Sequence, residues 1–126
     1  MWKCAFLSFF CLGVCTSTLA SATPQSLPVV ANGLASYYGK KENGRLTSSG
    51  TIFDSSRMTA AHRTLPFGTN LTVTNLRNGN SCKVEITDRG PARWTGRVID
   101  VSEGTAKCLD MVQSGVVPVK LRIAER

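Results

Sequence analysis

Apolar and polar residues alternate most strictly in two neighbouring stretches. Leu71 and Val73 alternate with Thr72 and Thr74, and Cys82, Val84 and Ile86 alternate with Lys83, Glu85 and Thr87. A period of two marks a strand with one buried face. Asn78-Gly79 lies between them, and its tolerance of positive φ suits a tight turn, so a half-buried β-hairpin is predicted. Residues 34–38 read as a strand ended by Gly39, and residues 58–61 as a short strand carrying His62 at its end. Residues 98–101 form a short, mostly apolar strand. A last strand covers residues 116–124, with Pro118 suggesting that it begins at an edge. Ser102 is a credible N-cap for a helix over residues 103–109. Residues 64–69 read as a turn. Residues 40–56 show little periodicity and form a polar loop punctuated by Gly44 and Gly50; long loops of this sort are often functional. Short strands with one or two short helices predict a mainly β fold, a small closed barrel.

The first residues have a different character. Met1-Trp2-Lys3 gives a short positive start, residues 4–12 are apolar, and a small-residue run ends in Ala20-Ser21-Ala22. That is the pattern of a secretory signal cleaved after Ala22, so residues 1–22 are assigned to a signal peptide. The apolar stretch is short of the roughly 20 residues that span a bilayer, and no transmembrane anchor is expected after cleavage. Leu12-Gly13-Val14-Cys15 loosely mimics a lipobox, which leaves a lipid anchor on Cys15 as an alternative to a free exported protein in the periplasm or cell envelope. Residues 23–32 read as a Pro-containing linker and residues 33–126 as one domain.

Composition narrows the class. Of five cysteines, only Cys82 and Cys108 fall outside the signal. An even pair in an exported chain favours one disulfide; two buried free thiols are the alternative. Two cysteines and one histidine make no convincing zinc site, so neither a metal nor another cofactor is expected. The net charge of +7 attracts anionic polymers. Nucleic acid is disfavoured by the lack of a helix-turn-helix pattern, zinc-knuckle spacing or aromatic ladder. An exported protein meets cell-wall polymer, in which each muramic acid stripped of its peptide carries a free lactyl carboxylate.

Asp88 is the first candidate for chemistry. Gly90 and Pro91 stop the strand abruptly and leave a carboxyl at the barrel rim. Glycoside cleavage needs a group that protonates the leaving oxygen, although a turn-capping aspartate would look the same in sequence. Arg89, next to it, would lower its pKa, so Arg89 either points away or binds substrate. His62, the single histidine, is either a structural hydrogen-bonding group or a proton exchanger near neutral pH. Asp100 is a weaker candidate, with a structural role beside the Ser102 cap preferred. Tyr37, Tyr38 and Trp94 could stack on sugar rings or simply pack, and Ser36 and Thr64 are plausible hydrogen-bonding neighbours.

GLASYYG, GRLTSSGTIFD, TAAHRTLPFGT, LTVTNLRNGNS, TDRGP and GRVIDVS follow one another in the order and spacing of a known family. From Gly33 to about Ala124 the chain closely resembles the rare lipoprotein A family of secreted double-psi β-barrel proteins. The resemblance implies a six-stranded double-psi barrel and cleavage of peptidoglycan glycan strands. It also implies that Asp88 of the Asp-Arg-Gly-Pro motif is the acid and that His62 of the TAAH motif is an essential site residue. Ser36, Tyr38, Thr64, Arg89 and Trp94 are the expected substrate contacts. One departure stands out. Many family members carry glutamate after the glycine occupied here by Gly50, whereas this chain has Thr51, so if that carboxyl helps catalysis, Glu42 or Asp54 must substitute or activity is reduced.

The function these readings imply is an endolytic lytic transglycosylase, a lyase that cuts the MurNAc–GlcNAc bond of peptide-free strands to leave 1,6-anhydro ends. A non-catalytic, expansin-like wall-binding module is the alternative, and a small secreted effector or inhibitor is a third, weaker reading. The expected partner is the glycan strand itself, bound by a monomer.

Overall fold

The computed structural model describes Gly13 and residues 28–124. The signal peptide assigned to residues 1–22, with Cys15, and the first part of the linker lie outside the described residues apart from Gly13 and residues 28–32. Six strands are present: β1 (Val29–Tyr38), β2 (Thr59–Ala61), β3 (Asn70–Asn75), β4 (Ser81–Asp88), β5 (Arg97–Ser102) and β6 (Val117–Ile123). One α-helix, α1 (Glu103–Cys108), and single 3₁₀ turns at Lys40–Glu42 and Arg93–Thr95 complete the described elements. The strands close into a barrel in the order β1-β5-β2-β4-β3-β6. β1 runs parallel to β5 and β2 parallel to β4, while the remaining neighbours are antiparallel. This crossed order agrees with the mainly β double-psi barrel that the motifs imply.

The alternating stretches become the β3–β4 hairpin, with Leu71 opposite Val84 and Val73 opposite Cys82. Their apolar side chains meet Ile99, Val101, Val117, Val119 and Leu121 inside the barrel, all of them fully buried. Burying an aliphatic side chain of this size contributes roughly 1.5–3 kcal/mol, so the hairpin's inward face is a main source of stability. The connection contains Gly79 at φ +80, a conformation glycine reaches without strain. Ser102 accepts a hydrogen bond from the Thr105 N–H and so caps α1. Cys82 and Cys108 form a disulfide across 26 residues, tying the end of α1 to the start of β4. Closing a loop of that length is worth about 3 kcal/mol on the chain-entropy account.

Three features differ from the sequence-based expectation. β1 begins at Val29, ahead of the expected start at Leu34, because Val29, Ala31 and Asn32 pair with Arg122, Leu121 and Lys120 of β6. Residues 29–32, read as the end of a linker, are therefore strand. Pro118 does not mark an edge, since β6 lies between β1 and β3. Its missing N–H is tolerated because β3 pairs with β6 only from Val119 onward. The polar loop is less irregular than expected: Phe53 is buried and packs on Tyr38 with ring centroids 4.9 Å apart, and Leu46 bridges to Ile52. That anchoring folds the loop over the end of β4, where Ile86, Thr87 and Asp88 are buried in succession and the alternation ceases.

Candidate active site

Asp88 is the last residue of β4, and Gly90, two residues on, has φ +128, a value that L side chains rarely adopt. The chain therefore turns sharply and leaves the carboxyl at the barrel end. It is only 7% exposed, because the polar loop covers one side of it. Oδ1 accepts three hydrogen bonds, from Ser48 N–H at 3.0 Å, Ser48 Oγ–H at 2.7 Å and Arg89 N–H at 2.8 Å. Oδ2 faces Arg45 Nη2 alone, at 3.4 Å. Arg45 in turn pairs with Glu42 at 3.3 Å. Burial pushes the Asp88 pKa up, but the Ser48 donors, the Arg89 amide and the Arg45 charge outweigh it and hold the carboxyl below its ordinary value.

A cleft of about 380 Å³ opens over this carboxylate, lined by Tyr38, Glu42, Arg45, Asp88, Trp94 and Asp100 among others. Asp100 is thus brought to the same cleft as Asp88. Its partners are side chains rather than the backbone amides expected beside the Ser102 cap: Oδ1 takes the Ser36 hydroxyl and lies 3.7 Å from Arg97 Nε. Ser36 also accepts from Arg97 Nη1 at 2.7 Å, so its hydroxyl is committed to holding that pair. Tyr38 Oη is buried without a hydrogen-bond partner among the described residues. Burial, with the charges of Asp88 and Asp100 adding to it, raises the phenol above its ordinary range and keeps it a donor. Trp94 stands 90% exposed on the rim, a free aromatic face rather than a packed one.

His62 follows β2 directly, and its backbone N–H donates to the Asp88 carbonyl at 3.2 Å. The imidazole does not join the carboxylate, and no hydrogen bond links them among the described residues. Nδ1 instead accepts the N–H groups of Thr64 and Leu65 at 3.2 and 3.1 Å. A ring nitrogen that accepts carries no proton, so the neutral imidazole has its hydrogen on Nε2. Burial, then the charges of Arg63 and Arg89, lower the pKa of His62 from its ordinary 6.5. His62 and Thr64 line a neighbouring depression of about 310 Å³. The 62–65 turn thus claims Nδ1, and the ring is oriented by that turn rather than by the carboxylate.

Arg89 takes the first of its two expected courses at the guanidinium, which donates to the carbonyls of His62 at 3.2 Å and Leu65 at 2.8 Å and lies 4.0 Å from the centre of the Phe67 ring. The arginine that meets the carboxylate is Arg45, and with Ser48 it was not among the sequence candidates. Both belong to the polar loop, some forty residues from Asp88, and only folding brings them there. Thr51 faces elsewhere, bonded to Thr47 and Ser49. Of the two carboxyls that could replace a glutamate there, Glu42 lines the cleft, while Asp54 is turned to its own loop by Ser56.

Residues 30–121 match a family described as lytic transglycolase. Over 112 residues the chain is 46% identical to the probable endolytic peptidoglycan transglycosylase RlpA of Nostoc sp., covering 87% of this chain and 30% of that protein. It is 52% identical over 97 residues to the probable endolytic peptidoglycan transglycosylase RlpA of Treponema pallidum, covering 77% and 30%. Identity to the endolytic peptidoglycan transglycosylase RlpA of Campylobacter jejuni is 45% over 93 residues, covering 74% and 34%. The chain thus spans about a third of the length of these relatives. Among solved structures, a Streptomyces papain inhibitor superposes with a TM-score of 0.59 at 22% identity, covering 79% of this chain and all of that one. An expansin of Clavibacter michiganensis in complex with cellohexaose has a TM-score of 0.59 at 19% identity, covering 75% of this chain and 50% of the expansin. At such identities the two structures speak to the fold alone.

Proposed function

Because this chain belongs to the lytic transglycolase family, with the rare lipoprotein A double-psi barrel, we propose that it is an endolytic peptidoglycan transglycosylase acting on peptide-free glycan strands. The observation that carries this reading is the asymmetry of the Asp88 carboxyl beneath an open cleft. Oδ1 is saturated by three donors, whereas Oδ2 meets only a half-exposed arginine at 3.4 Å. A strand entering the cleft displaces Arg45 and excludes water, both of which raise the carboxyl's pKa. Oδ2 then carries the proton, with Oδ1 still anchored.

In the reaction, Oδ2–H gives its proton to the bridging oxygen as the bond to the muramic anomeric carbon breaks. The 6-hydroxyl of the same muramic residue attacks that carbon and returns its proton to Oδ2. No water is consumed, and a single carboxyl serves as acid and then as base. Asp100 and Tyr38 lie where positive charge and sugar hydroxyls would be met, and Trp94 offers a stacking face. His62, with Nδ1 occupied, serves as an Nε2–H donor to a substrate oxygen rather than as a base. Export to the periplasm or cell envelope is part of the proposal, and the Cys82–Cys108 disulfide fits an oxidising compartment.

One observation favours a second reading. In the free protein Asp88 is held ionised, and an ionised carboxyl can grip sugar hydroxyls but cannot protonate a leaving group; a wall-loosening module would need no more. Mass spectrometry of denuded sacculi after incubation separates the two. Anhydro-ended fragments, one water lighter than hydrolysis products, are expected. Intact strands with protein bound would establish the module instead, and hydrated reducing ends a hydrolase.

A further inference from the structure

A second depression neighbours the cleft, and the chemistry above draws on it only through His62. Its lining comprises Arg63, Arg93, His62 and Thr64 with an apolar remainder that includes Leu65 and Val98, and no carboxylate among the described residues lines it. Arg63 donates to the Pro91 carbonyl at 3.3 Å, which ties the turn after β2 to a residue that lines the cleft. The Arg93 guanidinium has no ion-pair partner among the described residues. His62 has its acceptor nitrogen occupied, so it can offer this space only a donor. Two guanidiniums, an N–H donor and an apolar patch are complementary to a carboxylate that carries a small apolar group.

We infer that this depression is a subsite for the lactyl carboxylate of a peptide-free muramic residue, on the same strand as the residue held over Asp88. The inference rests on the glycan reading above and adds the means of selecting the strand. The lactyl group is a carboxylate beside a methyl-bearing carbon, the chemistry that the lining matches. When a stem peptide is attached, that carboxylate becomes a neutral, bulky amide. It then loses its attraction to Arg63 and Arg93 and no longer fits. Adjacency follows from the strands: Ala61 and Arg97 line the cleft over Asp88, and the next residues, His62 and Val98, line the depression.

Equilibrium binding of soluble denuded strands, compared with the same strands after carbodiimide coupling of their carboxyls to methylamine, tests this. The measurement is made on the Asp88→Asn protein so that strands survive. Binding of the free-carboxyl strands is expected to be tighter on the order of tenfold. Arg93→Gln and Arg63→Gln should each erase most of that ratio while binding of the amidated strands is unchanged. Arg77→Gln, which removes one positive charge at the far end of the β3–β4 hairpin, should leave the ratio intact. A ratio near one, a ratio that survives both subsite variants, or an equal loss in Arg77→Gln would overturn the subsite. Because binding alone is read, a wild-type protein that selects carboxylate strands yet never cuts them would remove the catalytic proposal and leave this one standing.

Discussion

The cleft over Asp88 and the depression beside His62 both draw lining residues from the stretch 91–98, yet they manage charge in opposite ways. The cleft mixes Glu42, Asp88 and Asp100 with Arg45, Arg89 and Arg97, and its ion pairs leave little net field. The depression has Arg63 and Arg93 with no acid among the described residues lining it. Within β5, Arg97 and Val98 point to opposite faces, so one strand contributes to both linings. Balanced charge suits a place where positive charge appears and vanishes during bond cleavage. Unbalanced charge suits a place where a permanent anion must be held. The two candidate proton-handling groups are also held apart in state: Asp88 is kept ionised by its donors, and His62 is kept neutral by burial and two arginines.

Removing the carboxyl from the first region should have the largest effect. Asp88→Asn preserves the size and the Ser48 contacts but cannot supply a proton. Release of anhydro fragments should fall by about 10²–10⁴-fold, with thermal unfolding showing an intact barrel. Near-normal turnover would mean that the cleft is not where the bond is cut.

A smaller change sharpens the charge balance. Arg45→Gln removes the cation facing Oδ2 and so raises the Asp88 pKa. The high-pH limb of kcat/KM, along which activity falls as the carboxyl loses its proton, should move to higher pH, because a close opposite charge favours the ionised form. An unmoved limb would show that Arg45 does not control the ionisation of the carboxyl.

The smallest effect belongs to the second region. The folded pKa of His62 lies below the unfolded value of about 6.5, so as pH falls the unfolded chain takes up the proton first. The stability contribution is present above about pH 6.5 and is lost as pH drops through that value toward the folded pKa. Tm of the wild type should therefore decline from pH 7 to 5 more steeply than that of His62→Gln, which has no imidazole to titrate. Parallel curves would show that the ring titrates freely and is not held neutral.

Much of the scaffold was legible in the chain. The alternation at Leu71–Val73 and Cys82–Ile86, the Ser102 cap and the stop at Gly90-Pro91 each reflect local rules, a pleat period, an orphan amide and a backbone angle. They predicted the hairpin, α1 and the position of Asp88 at a strand end, and the single pair of cysteines outside residues 1–22 predicted the disulfide. Ser48, Arg45 and Asp100 were harder to place. What a polar loop touches depends on where its buried anchor, Phe53, comes to rest, and no periodicity encodes a contact forty residues away. The same limit applied to His62, whose Nδ1 is taken by the Thr64 and Leu65 amides, a detail no sequence pattern encodes. The residue types and their strand-end positions came from local chemistry. The partner of each oxygen and each ring nitrogen was decided by barrel closure, because parallel and crossed strand pairings join segments that only three-dimensional packing can bring together.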